Sequence, residues 1–227
     1  MNNLLKTTLA TMLLSTSYSA SATLYMFEDN NASNGGLSDR LDSITSTYDT
    51  DTENFTWDVT FNADPTDVDG FWLVVNGGGN PKTANVNELA IMYGDMATNT
   101  LTTYVYNGAN NSNSWSNPGI YLQTDSFTTT SDSLSLAIDA TAINAWAGGD
   151  YTGISYADKI GIWFHISTGS NFSYGPGGEL TSYGYASQGW YDTPSLSTTV
   201  VPEPALTALL GLGLISLGAA GRRRTRG

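Results

Sequence analysis

The chain has no cysteine, a single histidine and few basic residues. Without cysteine there is no disulfide framework and no thiol nucleophile, so stability must come from an apolar core or from metal. A β domain of about 180 residues buries enough surface to do without staples. One histidine and no cysteine also leave an ordinary zinc site short of ligands. Positive charge is scarcest in the middle of the chain. Between Thr23 and Val200 only Arg40, Lys82 and Lys159 oppose 20 acidic residues, a formal charge of −17. A field of that sign repels phosphate backbones and anionic lipid, which argues against nucleic acid as a partner. It attracts divalent cations or a cationic surface. The 227 residues suffice for one domain of ordinary size.

The two ends differ from the middle. "MNNLLKTTLATMLLSTSYSASA" has one lysine, an apolar stretch and the small-x-small group Ala20-Ser21-Ala22. Residues 1–22 therefore read as a signal peptide for signal peptidase, cut after Ala22. The stretch is too short and too interrupted by Thr and Ser to span a bilayer. At the other end, residues 205–220 carry no charge. As a helix they would be about 24 Å long at ~1.5 Å per residue, short of the ~30 Å hydrocarbon core. Arg222, Arg223, Arg224 and Arg226 would snorkel to close the gap and would stay in the cytoplasm. Pro202 and Pro204 stop the helix from extending upstream and keep an extended, accessible segment there. The division expected is a signal peptide at 1–22, an ectodomain at 23–197 and a tail at 198–227.

"VPEP", an apolar Leu/Gly helix and a terminal arginine cluster, in that order, resemble the PEP-CTERM sorting signal of Gram-negative bacteria. The resemblance covers about the last 26 residues, with the motif on Pro202, Glu203 and Pro204. It implies recognition by an exosortase, a membrane protease-transpeptidase that cuts near the motif. It further implies transient residence in the inner membrane, then delivery to the cell surface or extracellular matrix, in association with exopolysaccharide. A permanent single-pass anchor would need the same helix and arginines. The segments "DGFWLVVNGGGNPK", "NELAIMYGD" and "IGIWFH" also resemble an ectodomain type that recurs upstream of such tails; that likeness bears on the fold alone.

The ectodomain reads as strands. "NFTWDVTF" alternates, with Phe55, Trp57, Val59 and Phe61 on one face. "DSLSLAID" repeats the pattern with Leu134, Leu136 and Ile138. In "KIGIWFHI" the isoleucines and Phe164 share a face, and His165 lies opposite beside Trp163. "GFWLVVN" is continuously apolar, as for a strand covered on both sides. Gly- and Asn-rich turns separate the strands, and only "DATAINAWA" suggests a short helix. The expected fold is an all-β, antiparallel, jelly-roll-like sandwich. A barrel or a solenoid is the alternative, though no tight period supports a solenoid. "GFWLVVNGGGNP" and "GIWFHISTGSNF" align at an offset of 91. They are either a duplicated unit or two buried strands that look alike before glycine-rich loops.

Chemistry is sparse. A Ser-His-Asp set would have to use His165, and no Gly-x-Ser-x-Gly elbow presents a serine. No phosphate-binding glycine loop precedes a helix. The glutamates Glu28, Glu53, Glu88 and Glu179 form no Glu-x-Asp-x-Glu strand, so a glycosidase is the least favoured of three readings. Calcium wants six to eight hard oxygens, and "DTDTEN" and Asp64, Asp67 and Asp69 in "DPTDVDG" cluster them. Trp115, Trp190 and Tyr191 are candidates for stacking on sugar rings. The leading expectation is a non-enzymatic surface or matrix protein with a structural or adhesive role. The second is a glycan-binding module, with or without calcium.

Overall fold

In the computed structural model the described residues are 23–32, 35–62, 66–82, 88–106 and 119–201. They form one compact unit, Leu24–Val201. The signal peptide, Asp64, Trp115, the motif Pro202-Glu203-Pro204, the expected membrane helix and the four terminal arginines lie outside them.

Strands are numbered in chain order. A six-stranded sheet runs β15 (Thr199–Val201), β1 (Leu24–Asp29), β3 (Leu41–Asp49), β4 (Asn54–Phe61), β10 (Ser133–Asp139), β9 (Thr128–Thr129). A seven-stranded sheet runs β2 (Gly35–Gly36), β14 (Ser187–Ser197), β11 (Lys159–Thr168), β5 (Gly70–Asn76), β6 (Leu89–Asp95), β7 (Thr100–Tyr106), β8 (Tyr121–Ser126). A separate hairpin joins β12 (Asn171–Tyr174) to β13 (Leu180–Gly184). These ladders are antiparallel. Among the described residues, helix is confined to a 3-10 turn at Leu37–Arg40 and the single turn α1 (Thr141–Asn144), the latter within the segment that suggested it.

The alternation in the sequence explains how the sheets meet. Phe55, Trp57 and Val59 of β4 and Leu134, Leu136 and Ile138 of β10 point inward from the six-stranded sheet. Phe71, Leu73 and Val75 of β5 and Ile162, Phe164 and Ile166 of β11 point inward from the other. All belong to one buried cluster. Trp57 meets Phe164 edge-on at 5.3 Å between ring centroids, across the two sheets. The fold is therefore a two-layer sandwich, with each fully buried large side chain worth about 1.5–3 kcal/mol relative to exposure. The strand order departs from a jelly roll: β5, β6, β7 and β8 succeed one another as a meander in a single sheet.

The seven-stranded sheet is buried on its outer face as well, as the apolar run of β5 requires. Trp72, Val74, Ile91, Tyr93, Tyr104, Tyr106 and Trp163 form a second cluster there with Leu180 of β13. Tyr183 of the hairpin packs edge-on against both Trp72 and Tyr93. The two similar segments become neighbours: β5 and β11 pair, and Trp72 and Trp163 meet at 6.3 Å. Their successor strands diverge, since β6 stays in the sheet and β12 leaves it for the hairpin.

Candidate functional site

The tail begins where the sheet ends. Val200 and Val201 belong to β15, which pairs with β1 as Leu24↔Val201, Tyr25↔Val200 and Met26↔Thr199. The body thus extends past residue 197 to Val201, and Pro202 comes directly after a hydrogen-bonded edge strand. Leu24, two residues after the expected signal-peptidase cut, is the partner of the last residue of that strand.

Of the aromatic candidates, Trp190 and Tyr191 are adjacent on β14, so a pleated strand sends them to opposite faces. Tyr191 is 3% exposed and sits in the core between the sheets. Its hydroxyl donates to Asp29 Oδ2 at 2.5 Å. Tyr191 therefore offers no ring face to a sugar, which corrects that expectation. Trp190 is half-buried and covers the two-residue edge strand β2, pairing with Gly35. A Cβ on Gly35 would fall inside the indole, and Gly36 turns at φ +61° with its own face against the ring. The glycines let a backbone lie flat on an aromatic plane, and that stacking protects the sheet edge.

His165 pairs with Trp190 across β11 and β14 and, as expected, faces away from the isoleucines. Its Nε2 lies 2.6 Å from the Trp163 indole N–H and 2.9 Å from Asp192 Oδ1. Nδ1 lies 3.4 Å from Gln188 Oε1. An indole nitrogen only donates, so the ring that serves Trp163 is neutral at Nε2 and carries its hydrogen towards Gln188. The other tautomer serves Asp192 instead. Asp192 also meets Lys82 Nζ at 3.4 Å. The set of partners, an indole, an amide and a carboxylate, orients the imidazole within the outer aromatic layer.

Among the described residues the acidic candidates do not converge. Asp67 takes Arg40 through both oxygens, Nε to Oδ1 at 2.5 Å and a terminal nitrogen to Oδ2 at 2.9 Å. That bond holds the Asp67 carboxyl below its ordinary range. Asp69 accepts the Ser170 backbone N–H with both oxygens, at 3.0 and 3.1 Å. In "DTDTEN", Asp49 Oδ1 caps the turn by accepting from Asp51 N and Thr52 N. Those backbone bonds lower its pKa. Among the described residues no three metal-ligating side chains group together.

Glu53, from the same segment, does something else. It sits at φ +53°, a left-handed conformation that costs a residue with a Cβ on the order of 1 kcal/mol. Its carbonyl accepts Ala140 N at 2.9 Å, and its Oε2 accepts Asn144 Nδ2 at 2.6 Å. The same amide donates to the Tyr48 hydroxyl at 3.1 Å, and Asn144 Oδ1 accepts Ile154 N at 3.0 Å. Tyr48 and Tyr156 pack at 5.6 Å, and the Tyr156 hydroxyl bonds Ser46 Oγ at 2.8 Å. Burial, then the Glu53 charge, push the Tyr48 phenol up to about 12. Tyr48, Glu53 and Tyr156 line an open cleft of about 430 Å³ with Thr50, Gly77, Ser155 and Ala157, and Asn144 holds Glu53 and Tyr48 from behind it. The sequence hinted at Tyr48 through the alternation of "ITSTYD", but nothing local pairs Glu53 with an asparagine 91 residues away.

Residues 200–224 match the family model described as the PEP-CTERM protein-sorting motif. No curated protein and no solved structure matches the chain.

Proposed function

We propose that this chain, which carries a PEP-CTERM sorting motif, is a non-enzymatic surface or matrix protein whose sandwich has a structural or adhesive role in the exopolysaccharide layer. The motif implies export, processing by an exosortase and sorting through the membrane to the surface. Pro202-Glu203-Pro204 is the recognition element, the apolar segment after it holds the substrate, and the arginines orient it. The observation that carries the reading is the motif itself, continuous with the edge strand β15. The passive role is supported by how the chemically suggestive residues are used. Tyr191 is a core residue, Trp190 covers a glycine edge, and His165 is engaged by Trp163, Gln188 and Asp192.

The test replaces Pro202, Glu203 and Pro204 with alanine in a bacterium that has an exosortase. The expected result is accumulation of the uncut precursor in the inner membrane and loss of surface signal. Unchanged surface display would sink the sorting reading. A purified chain that hydrolyses the producing cells' polysaccharide would sink the non-enzymatic one.

A further inference from the structure

We propose that the cleft bordered by Glu53, Tyr48, Tyr156 and Ser155 is a binding site for a neutral saccharide. The inference rests on the reading of the chain as a component of a polysaccharide layer and gives that reading a point of contact.

The cleft, about 430 Å³, falls within the usual range of small-molecule sites, about 300–1,000 Å³. It offers a matched pair of hydrogen-bonding groups. Asn144 ties the Glu53 carboxylate and the Tyr48 hydroxyl together through a single amide nitrogen. Each group keeps hydrogen-bonding capacity to spare. Among the described residues Glu53 Oε1 accepts no hydrogen bond, and the Tyr48 O–H has no acceptor. A carboxylate oxygen that accepts, beside a phenol that donates, fits two neighbouring hydroxyls of a sugar. One hydroxyl donates to Glu53 and the other accepts from Tyr48. Ser155 and Thr50 add polar atoms at the rim, while the Tyr48 and Tyr156 rings, each 3% exposed, turn little of their faces to the cleft.

The surroundings fix this pair before any ligand arrives. Asn144 is held from its other side by Ile154 N, and Glu53 is pinned through its carbonyl to Ala140. The backbone strain at Glu53 persists because both anchors hold it. Gly and Asn adopt that conformation at less cost than Glu. The saccharide is neutral because the ectodomain is strongly acidic and Glu53 itself is a carboxylate, so a polyuronate would be repelled.

The test uses the full chain purified in detergent, with maltotriose, cellotriose and calcium chloride each titrated separately. Binding is read by ligand-observed NMR and by calorimetry. Saturable binding of either trisaccharide is expected, weakened about tenfold or more by Glu53→Gln and by Tyr48→Phe. Glu53→Gln keeps an acceptor for Asn144, so its melting temperature should stay near that of the parent and separate lost binding from lost fold. No binding of either trisaccharide, or binding indifferent to Glu53→Gln, would overturn the proposal. So would calcium binding that Glu53→Gln abolishes without any sugar binding, or sugar binding lost with Trp190→Ala and kept with Glu53→Gln. In each of those cases surface sorting of the Glu53→Gln chain would remain normal, which separates failure of this site from failure of the sorting reading.

Discussion

Leu24 and Val201 are register partners at the edge of the six-stranded sheet, so the two ends of the body lie side by side on adjacent strands. Antiparallel partners have Cα atoms about 4.5–5.5 Å apart, within the span a disulfide tolerates. The chain has no cysteine of its own. The double variant Leu24→Cys/Val201→Cys should therefore form one intramolecular disulfide on oxidation, read by loss of both free thiols. Two thiols that persist under oxidant would mean that β15 does not pair in this register.

The contact between Gly35 and Trp190 predicts a strong coupling. Gly35→Ala drives a methyl into the indole and should cost about 1–3 kcal/mol in chemical denaturation, as overpacking does. In a Trp190→Ala background the same change should cost little. Additive effects would show that the ring does not rest on the glycine.

Core contacts across the sheets should be more expensive. Phe164 is fully buried and meets Trp57 and Phe71 at 5.3 and 5.9 Å. Phe164→Ala should destabilise the fold by about 3–5 kcal/mol, measured by equilibrium unfolding. A cost below about 1 kcal/mol would contradict the packing of the two sheets on each other.

Alkali should unfold the protein cooperatively. Burial raises the phenols of Tyr48 and Tyr104 to about 12 and lifts Tyr151, Tyr156, Tyr183 and Tyr191 as well. Tyrosines in an unfolded chain ionise near pH 10. A folded pKa above the unfolded value stabilises the fold fully below about pH 10, and that contribution is lost as pH rises towards about 12 and beyond. Phenolate absorbance and circular dichroism should therefore change together in that range. Phenolate formation that ran to completion near pH 10 with the fold intact would refute the burial of these rings.

At acid pH the Arg40–Asp67 bond should fade. The Asp67 carboxyl is held below its ordinary value by Arg40, so its contribution is full above about pH 4 and disappears as pH falls through the lowered value. Asp67 is largely exposed, which limits Arg40→Ala to about 0.5–1 kcal/mol at neutral pH. The same substitution should cost less at pH 2, where more of Asp67 is protonated. An equal cost at both pH values would assign the effect to the arginine's alkyl stem.

Much of the body was legible because a strand's side chains alternate with period two. The pattern in "NFTWDVTF" and "DSLSLAID" placed Phe55, Trp57, Leu134 and Ile138 inward, and all are buried. The same rule set His165 opposite the isoleucines. Applied to Trp190 and Tyr191, it would also have separated these two, which adjacency in sequence cannot bring to one surface. The illegible part depends on long-range partners. Gly35-Gly36 reads as a loop until Trp190 lies over it. Glu53 reads as one acid among several until Asn144 arrives from α1. Asp67 looked like a calcium ligand, and only the fold brings Arg40 to it.

The pairing of β15 with β1 also decides how the body bears load. Any pull delivered through the C-terminal end reaches the sandwich first at a strand of three residues on an open edge. So short a ladder has few rungs to break and yields before the longer ones. The next element inward is β14, 11 residues long, between β2 and β11 in the seven-stranded sheet. Its rungs along β11 run parallel to one another and would have to break together if the strand were drawn lengthwise. A chain pulled by its tail would therefore stretch by a few residues at its edge and then stiffen, with the core untouched.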